Sequence, residues 1–435
     1  MKVYPKYKPS GIDSLSDIPS HWIFNYFKRF VFFQEGPGLR HWQFKENGIK
    51  VICVTNITEN GIDFSSFTKY ISEEEYLESY QHFTVKKGDL LLASSGASWG
   101  KVAEYESDEV VILNTSTIRL NSQKNKINRR FLRWLLSSNY INDQLSVLIT
   151  GSCQPNFGPT HLSKLEIAIP ESELDQQKIV NFLDYKTEQC DRFISNRQKQ
   201  IELLNEQKAS IINKAVTKGI NPNAKMKPSG IDWIGDIPEH WEIQKLKYLC
   251  EHISIPAFSK KQDETYIALE NIEGWTGKFI FNEEFSGFDS TARKFTDKDI
   301  LFGKLRPYLA KVAIPDFKGV CVSEIIVLRP IKLLREFLYF MLLNADFIDF
   351  VSQTAEGTKM PRTSWNKIAD LKFPLPSKEE QQAVLDFIKQ ETSKIEALIS
   401  KYQKQIELMQ EYRTALISQA VTGKIDVREW KPQTK

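Results

Sequence analysis

The chain has 435 residues, 41% hydrophobic and 12% aromatic, with a formal net charge of +3. That is enough apolar material for two or three domains with their own cores, and too much for a disordered polypeptide. No stretch approaches the roughly 20 apolar residues of a membrane span, the N-terminus lacks an apolar signal region, and five irregularly spaced cysteines describe neither a disulfide framework nor a zinc site. A reduced, cytoplasmic protein without membrane contact is expected.

In chain order, the first block is KPSGIDSLSDIPSHW at 8–22. Strand candidates follow at 50–57, 88–94 and 110–120, then an amphipathic helix in RRFLRWLLSSNYINDQL and a closing IAIP strand. A long helix is expected from about Ser172 to Ala215. KGINPNAKMKPSG then forms a turn-rich linker, and the order starts again. KPSGIDWIGDIPEHW stands at 227–241, strand candidates at 265–272, 298–305 and 321–330, an amphipathic helix in LLREFLYFMLLNADFIDFV, a closing FPLP, and a second long helix after Ser377. Ser172 and Ser377 suit N-caps, with acids following them in the first turn.

The repetition is anchored at both ends. Eleven of fifteen positions agree between the two opening blocks, and eleven of twenty between QKQIELLNEQKASIINKAVT and QKQIELMQEYRTALISQAVT, whereas similarity nearly vanishes between the anchors. Two copies are too few for a solenoid, so a pseudo-twofold arrangement is expected. The fold class is α+β: two mixed α/β domains (1–171 and 227–376) joined by two long antiparallel coiled-coil helices (172–226 with its linker, and 377–435 with the tail). The helices carry a heptad stripe. Its central positions are Ile194, Ile201, Leu204 and Ile211 in the first helix and Ile399, Tyr402, Ile406, Met409 and Leu416 in the second. Neither stripe contains Gly or Pro.

Two loops in each variable domain have side chains suited to a nucleic acid. The first is ASSGASWGKVA, with Ser94, Ser95, Ser98, Trp99 and Lys101; its counterpart FGKLRPYLAKVA has Lys304, Arg306, Tyr308 and Lys311. Hydroxyl groups and ammonium groups suit phosphates, and an Arg can hold a guanine edge with two bonds. The second is TGSCQPNFG, with Ser152, Gln154 and Asn156, against EGTKMPRTSW, with Thr358, Lys359, Arg362 and Ser364. A polar turn without a partner is the competing reading of each. The run KNKINRRFLR, with Lys124, Lys126, Arg129, Arg130 and Arg133, reads either as a solvated helix face or as a phosphate contact.

Signs of catalysis are missing. GASWGKV is one residue short of a phosphate loop and lacks the Ser or Thr after Lys101. No dinucleotide fingerprint, amino-methyltransferase motif or metal-ligand spacing is present, so no catalytic or metal residue is assigned. His21 and His240, at matched positions beside Trp22 and Trp241, suggest packing or capping.

The K-P-S-G-I-D…I-P…H-W openings, the Asp175-Gln176-Gln177 and Glu380-Gln381-Gln382 helix entries, and the alternation of variable domain and long helix resemble the specificity subunit of type I restriction-modification enzymes across essentially the whole chain. The resemblance implies a non-catalytic subunit whose two target-recognition domains each read one half of a bipartite site in double-stranded DNA. It implies paired helices that set the spacer and dock adenine-methyltransferase subunits, which use S-adenosylmethionine. It also implies a translocase-nuclease subunit, using ATP and Mg, that completes the assembly. A stand-alone two-headed DNA-binding regulator and a coiled-coil protein-binding scaffold are the alternatives.

Overall fold

The computed structural model describes residues 2–12, 15–58, 61–149, 156–257, 264–281 and 292–432. They form two compact units that do not follow chain order: residues 1–197 with 404–435, and residues 198–403. Each unit thus contains one variable domain, the first part of the long helix that follows it, and the last part of the other.

In the first unit, Val102–Glu104, Leu90–Ala93, Thr117–Ser122 and Val31–Glu35 make an antiparallel sheet in that order. A second sheet runs Lys69–Ile71, Ile49–Ile52, Val111–Leu113, Thr84–Val85, and its Ile49–Ile52 and Val111–Leu113 strands are parallel. In the second unit the corresponding sheets are Cys250–Ile253, Ile325–Pro330, Ile300–Gly303, Val312–Ala313 and Thr265–Ile267, Gly319–Cys321, Arg293–Phe295, again with one parallel pair. Among the described residues the two variable domains share the order of the first sheet and of three strands of the second, Lys69–Ile71 having no counterpart, although their residues differ.

Two expectations need correction. The runs 110–120 and 321–330 are not single strands. Each contributes one strand to each sheet, with the change of sheet at 114–116 and 322–324; Ser116, at φ +60°, takes the left-handed conformation that turns the chain. Polar residues mark both breaks, Asn114-Thr115-Ser116 and Ser323-Glu324, but strand period does not tell a change of sheet from a polar kink within one strand. The amphipathic helices are also each a pair, Arg129–Leu136 with Asn139–Leu148 and Arg335–Leu342 with Ala345–Gln353. Asn344 caps the last of these by accepting from the Phe347 N–H at 3.1 Å, a cap signal inside a run that is otherwise helical in period.

The long helices span Glu173–Lys218 and Lys378–Val421. Both serine caps form: Ser172 Oγ accepts from the Asp175 N–H at 3.4 Å and Ser377 Oγ from the Glu380 N–H at 3.2 Å. Gly219 and Gly423, at φ +72° and +73°, end them in the left-handed conformation that glycine adopts without strain. Ile194, Ile201, Leu204, Ile211, Ile399, Tyr402, Ile406 and Met409 are half-buried and Leu416 is buried, while most positions between them are exposed.

Within each unit the two helix segments run antiparallel. In the first, Asp191 meets Arg413 at 3.1 Å, and Phe182, earlier in its helix, meets Trp430, beyond the end of the other, at 5.2 Å. In the second, Lys208 pairs with Glu396, and Ala215 and Val216 share a core with Val384 and Ile388.

The anchor motifs explain why each segment stays on its domain. Gln176 accepts from the Asn128 N–H at 2.6 Å and donates to the Pro170 carbonyl at 2.9 Å. Gln381 does the same with Leu334 and Pro376, at 2.6 and 3.0 Å. Each fully buried glutamine thereby joins three elements and leaves no amide atom wanting a partner. The opening blocks seal the other end. Trp22 and Pro19 pack on Gly423, and Trp241 and Pro238 on Gly219. His21 and His240 lie 3.7 and 2.8 Å from the carboxylates of Asp175 and Glu380 at the helix starts, whose caps are the serines.

Candidate nucleic-acid interface

The structure brings the two candidate loops of each domain together. In the first unit, Ser95 bridges Asn156, and the Phe157 N–H donates to the Ser94 carbonyl at 3.2 Å. In the second, Leu305 bridges Arg362, and the Thr363 N–H donates to the Lys304 carbonyl at 3.0 Å. A third segment, which the sequence did not flag, joins them: the crossing turn between the sheets. Ser94 N donates to Ser116 O at 2.9 Å, and Lys304 N to Glu324 O at 2.8 Å. Three segments therefore converge at the same place on each scaffold.

The side chains there differ in commitment. Ser94 is fully buried. Trp99 is half-buried and stands edge-on to Phe157 at 5.7 Å. With Lys101, Arg133 and Asn142 it lines a cleft of about 340 Å³. Ser95 and Ser98 are half-exposed and Asn156 exposed, whereas Ser152 and Gln154 lie outside the described residues. In the second unit Tyr308, Thr358, Lys359 and Arg362 are exposed, and Lys304, Arg306 and Ser364 half-buried. Arg362 pairs with Glu324 at 3.1 Å. The Lys311 ammonium donates to the Leu269 and Ile272 carbonyls at 2.6 and 2.9 Å, so it ties its loop to the neighbouring turn. In the basic run 124–133, Lys126 donates to the Arg29 carbonyl, Arg129 to the Gly88 carbonyl, and Arg130 pairs with Asp184. Lys124 stays exposed on a left-handed turn.

His252 stacks on Trp365 at 5.2 Å, and burial, then Lys304 and Arg293, hold its pKa below the ordinary imidazole value. Nearby Cys321 is pushed up to about 12 by burial, which makes it an inert thiol.

Beneath the loops, each domain repeats the same supports. Asp89 and Asp299 are buried acids whose carboxylates accept the Lys86 and Thr296 N–H groups. Asp299 also holds Arg329 through two bonds of 2.8 and 3.0 Å, while Arg119 lies 3.8 Å from Asp89. Asn56 and Asn271 each accept from the backbone N–H three residues earlier at 2.8 Å. Shared signals were available for these residues: the aspartates share the 210-residue offset of Lys101 and Lys311, and T-N-I matches E-N-I. No comparable signal marked the crossing turn.

Among the described residues no group of three His, Cys, Asp or Glu side chains could hold a metal, and no helix is long and apolar enough to cross a membrane. Two domains of shared sheet order, each presenting converged loops on a repeated scaffold, define a two-headed recognition protein.

Comparison with known proteins gives its family. The chain matches the type I restriction modification DNA specificity domain twice, over residues 23–203 and 238–408, and belongs to that family. It is 26% identical over 364 residues to the type I restriction enzyme MjaVIII specificity subunit of Methanocaldococcus jannaschii, covering 79% of this chain and 80% of that one. It is 20% identical over 325 residues to the EcoDI specificity subunit of Escherichia coli, covering 71% and 72%. The fold matches a chain from a solved type I restriction-modification complex, with a TM-score of 0.67 at 14% identity, over 94% of this chain and 99% of that one. It also matches the HsdS subunit of Thermoanaerobacter tengcongensis, with a TM-score of 0.51 at 15% identity, over 94% and 98%. The protein is a DNA specificity subunit of a type I restriction-modification system, a recognition chain and not the catalytic one.

Proposed function

We propose that the two domains read the two halves of one bipartite site in double-stranded DNA, through the converged loops, in the cytoplasm. The observation that carries this reading is the contrast within each domain: the supports repeat residue for residue, whereas the loops they hold do not. One scaffold with two sets of side chains suits two different half-sites. Joining two readers makes the second binding event intramolecular, which raises affinity and specificity together.

The long helices set the unread spacer and dock adenine-methyltransferase subunits, which bind S-adenosylmethionine and perform methyl transfer. A translocase-nuclease subunit, with ATP and Mg, completes the restriction assembly. The contacts to bases come from Ser95, Ser98 and Asn156, with Ser152 and Gln154, in the first domain, and from Lys304, Arg306, Tyr308 and Arg362 in the second. Thr358, Lys359 and Ser364 flank them, and Lys101 reaches a phosphate.

The test is a pull-down of the tagged chain from its native cells, joined to methylome sequencing with and without its gene. Co-purification of an adenine methyltransferase, with loss of methylation at one split motif, is expected. Recovery of the chain alone with an unchanged methylome would contradict the reading and leave a stand-alone regulator or a scaffold.

A further inference from the structure

The second unit concentrates unusual backbone beside its converged loops. Among the described residues, six non-glycine residues have positive φ, and three of them lie together: Trp275 at +65°, Arg306 at +50° and Ala310 at +46°. Left-handed conformations are unfavourable for residues bearing a Cβ, and such strain gathers where a surface must be held in one shape for a ligand.

The strained segments are bonded to each other. The Trp275 N–H donates to the Ala310 carbonyl at 3.0 Å, and the backbones approach so closely that a Cβ at Gly274 would run into the Leu309 carbonyl. Further bonds fix the turn that carries Trp275. Thr276 Oγ1 donates to the exposed Glu273 carboxylate at 2.5 Å, and Tyr339 donates to the Thr276 carbonyl at 3.1 Å. On this mount Trp275 is 49% exposed and Tyr308 is 47% exposed.

The charge beside Tyr308 points to the partner. Tyr308 shares its loop with Lys304 and Arg306, and the Arg306 N–H donates to the Pro361 carbonyl at 2.7 Å, which attaches this loop to the segment bearing Arg362. Exposed aromatic faces next to cationic side chains match nucleobases, whose π-faces stack on aromatics while the phosphates meet the charges.

We propose that Trp275 and Tyr308 form a stacking surface for bases of the second half-site, taking unstacked or partly opened base steps against their rings. The inference deepens the DNA-reading function above and rests on it.

The test uses the full chain with its co-purified subunits and a duplex carrying the mapped split motif, titrated at several salt concentrations. Trp275→Ala should weaken binding roughly tenfold or more, and Tyr308→Ala should act in the same direction, with the slope of affinity against salt unchanged because stacking releases no counterions. Trp275→Phe should restore most of the loss. Unaltered thermal unfolding of the exposed-site variants separates this effect from misfolding. Unchanged affinity in both alanine variants, with wild-type binding intact, would overturn the inference and leave the DNA reading standing. Loss of a co-purifying subunit from Trp275→Ala, with DNA affinity of the remaining chain intact, would overturn it in favour of a protein contact. No DNA binding by the wild-type assembly would remove the DNA reading itself.

Discussion

The first and second domains solve the same folding problem with the same bonds and present different chemistry. In the first, the converged loops expose mainly hydroxyl and amide groups, Ser95, Ser98 and Asn156, and draw their large aromatic, Trp99, against Phe157. In the second they expose Tyr308, Lys359 and Arg362 over a left-handed backbone, and burial, then Lys304 and Arg293, lower the pKa of the nearby His252. The difference teaches where sequence freedom lies. The buried Asp, Asn and Gln supports repeat, and most side chains of the converged loops do not.

The comparison breaks most readily at the supports. Asp299→Ala leaves Arg329 partly buried without its carboxylate and strips the Thr296 N–H of its acceptor, so it should cost about 3 kcal/mol by denaturant unfolding. Asp89→Ala should cost less, because Arg119 lies farther from its acid and is also bonded to Gln34.

Gln381→Ala and Gln176→Ala should each cost about 2 kcal/mol, since each abandons a buried N–H and a buried carbonyl. Nearly equal effects are expected, and a large inequality would break the equivalence of the two units.

At the interface, the domains should diverge. Arg306→Ala should weaken binding to the mapped motif by about 1–3 kcal/mol and relax preference in one half-site only. Ser98→Ala should act on the other half by less. Methylome sequencing of each variant reads both outcomes.

The smallest expected effect is pH-dependent. The folded pKa of His252 is depressed, so its contribution to stability is full above the unfolded value of about 6.5 and is lost as the pH falls below it. The drop in unfolding midpoint between pH 7.5 and 5.5 should shrink in His252→Gln. An identical drop would show that the fold does not depress the pKa of this ring.

Much of this architecture was legible in the residues. The repeat, the caps at Ser172 and Ser377 and the heptad stripe are local signals written in side-chain type and period. The two sheet crossings were not legible, because the polar residues inside 110–120 and 321–330 read equally as a kink within one strand. The pairing of loops was hidden for a related reason: Ser94 and Phe157, or Lys304 and Thr363, meet only through backbone bonds, which leave no mark on residue identity. Trp275 was missed because its exposure and backbone conformation depend on Ala310 and Leu309, 35 and 34 residues away.

The central claim is that two half-site readers are held apart by helices that set a spacer. Its most direct test is a matched insertion of four helical residues, near Gln200 in the first long helix and near Gln405 in the second, followed by methylome sequencing. Four residues add roughly 6 Å of helix, or about two base pairs of DNA. The account predicts that the unread spacer lengthens by about that amount while the bases of both half-sites stay the same. An unchanged spacer in an assembly that still methylates DNA, or altered half-site bases, would contradict it.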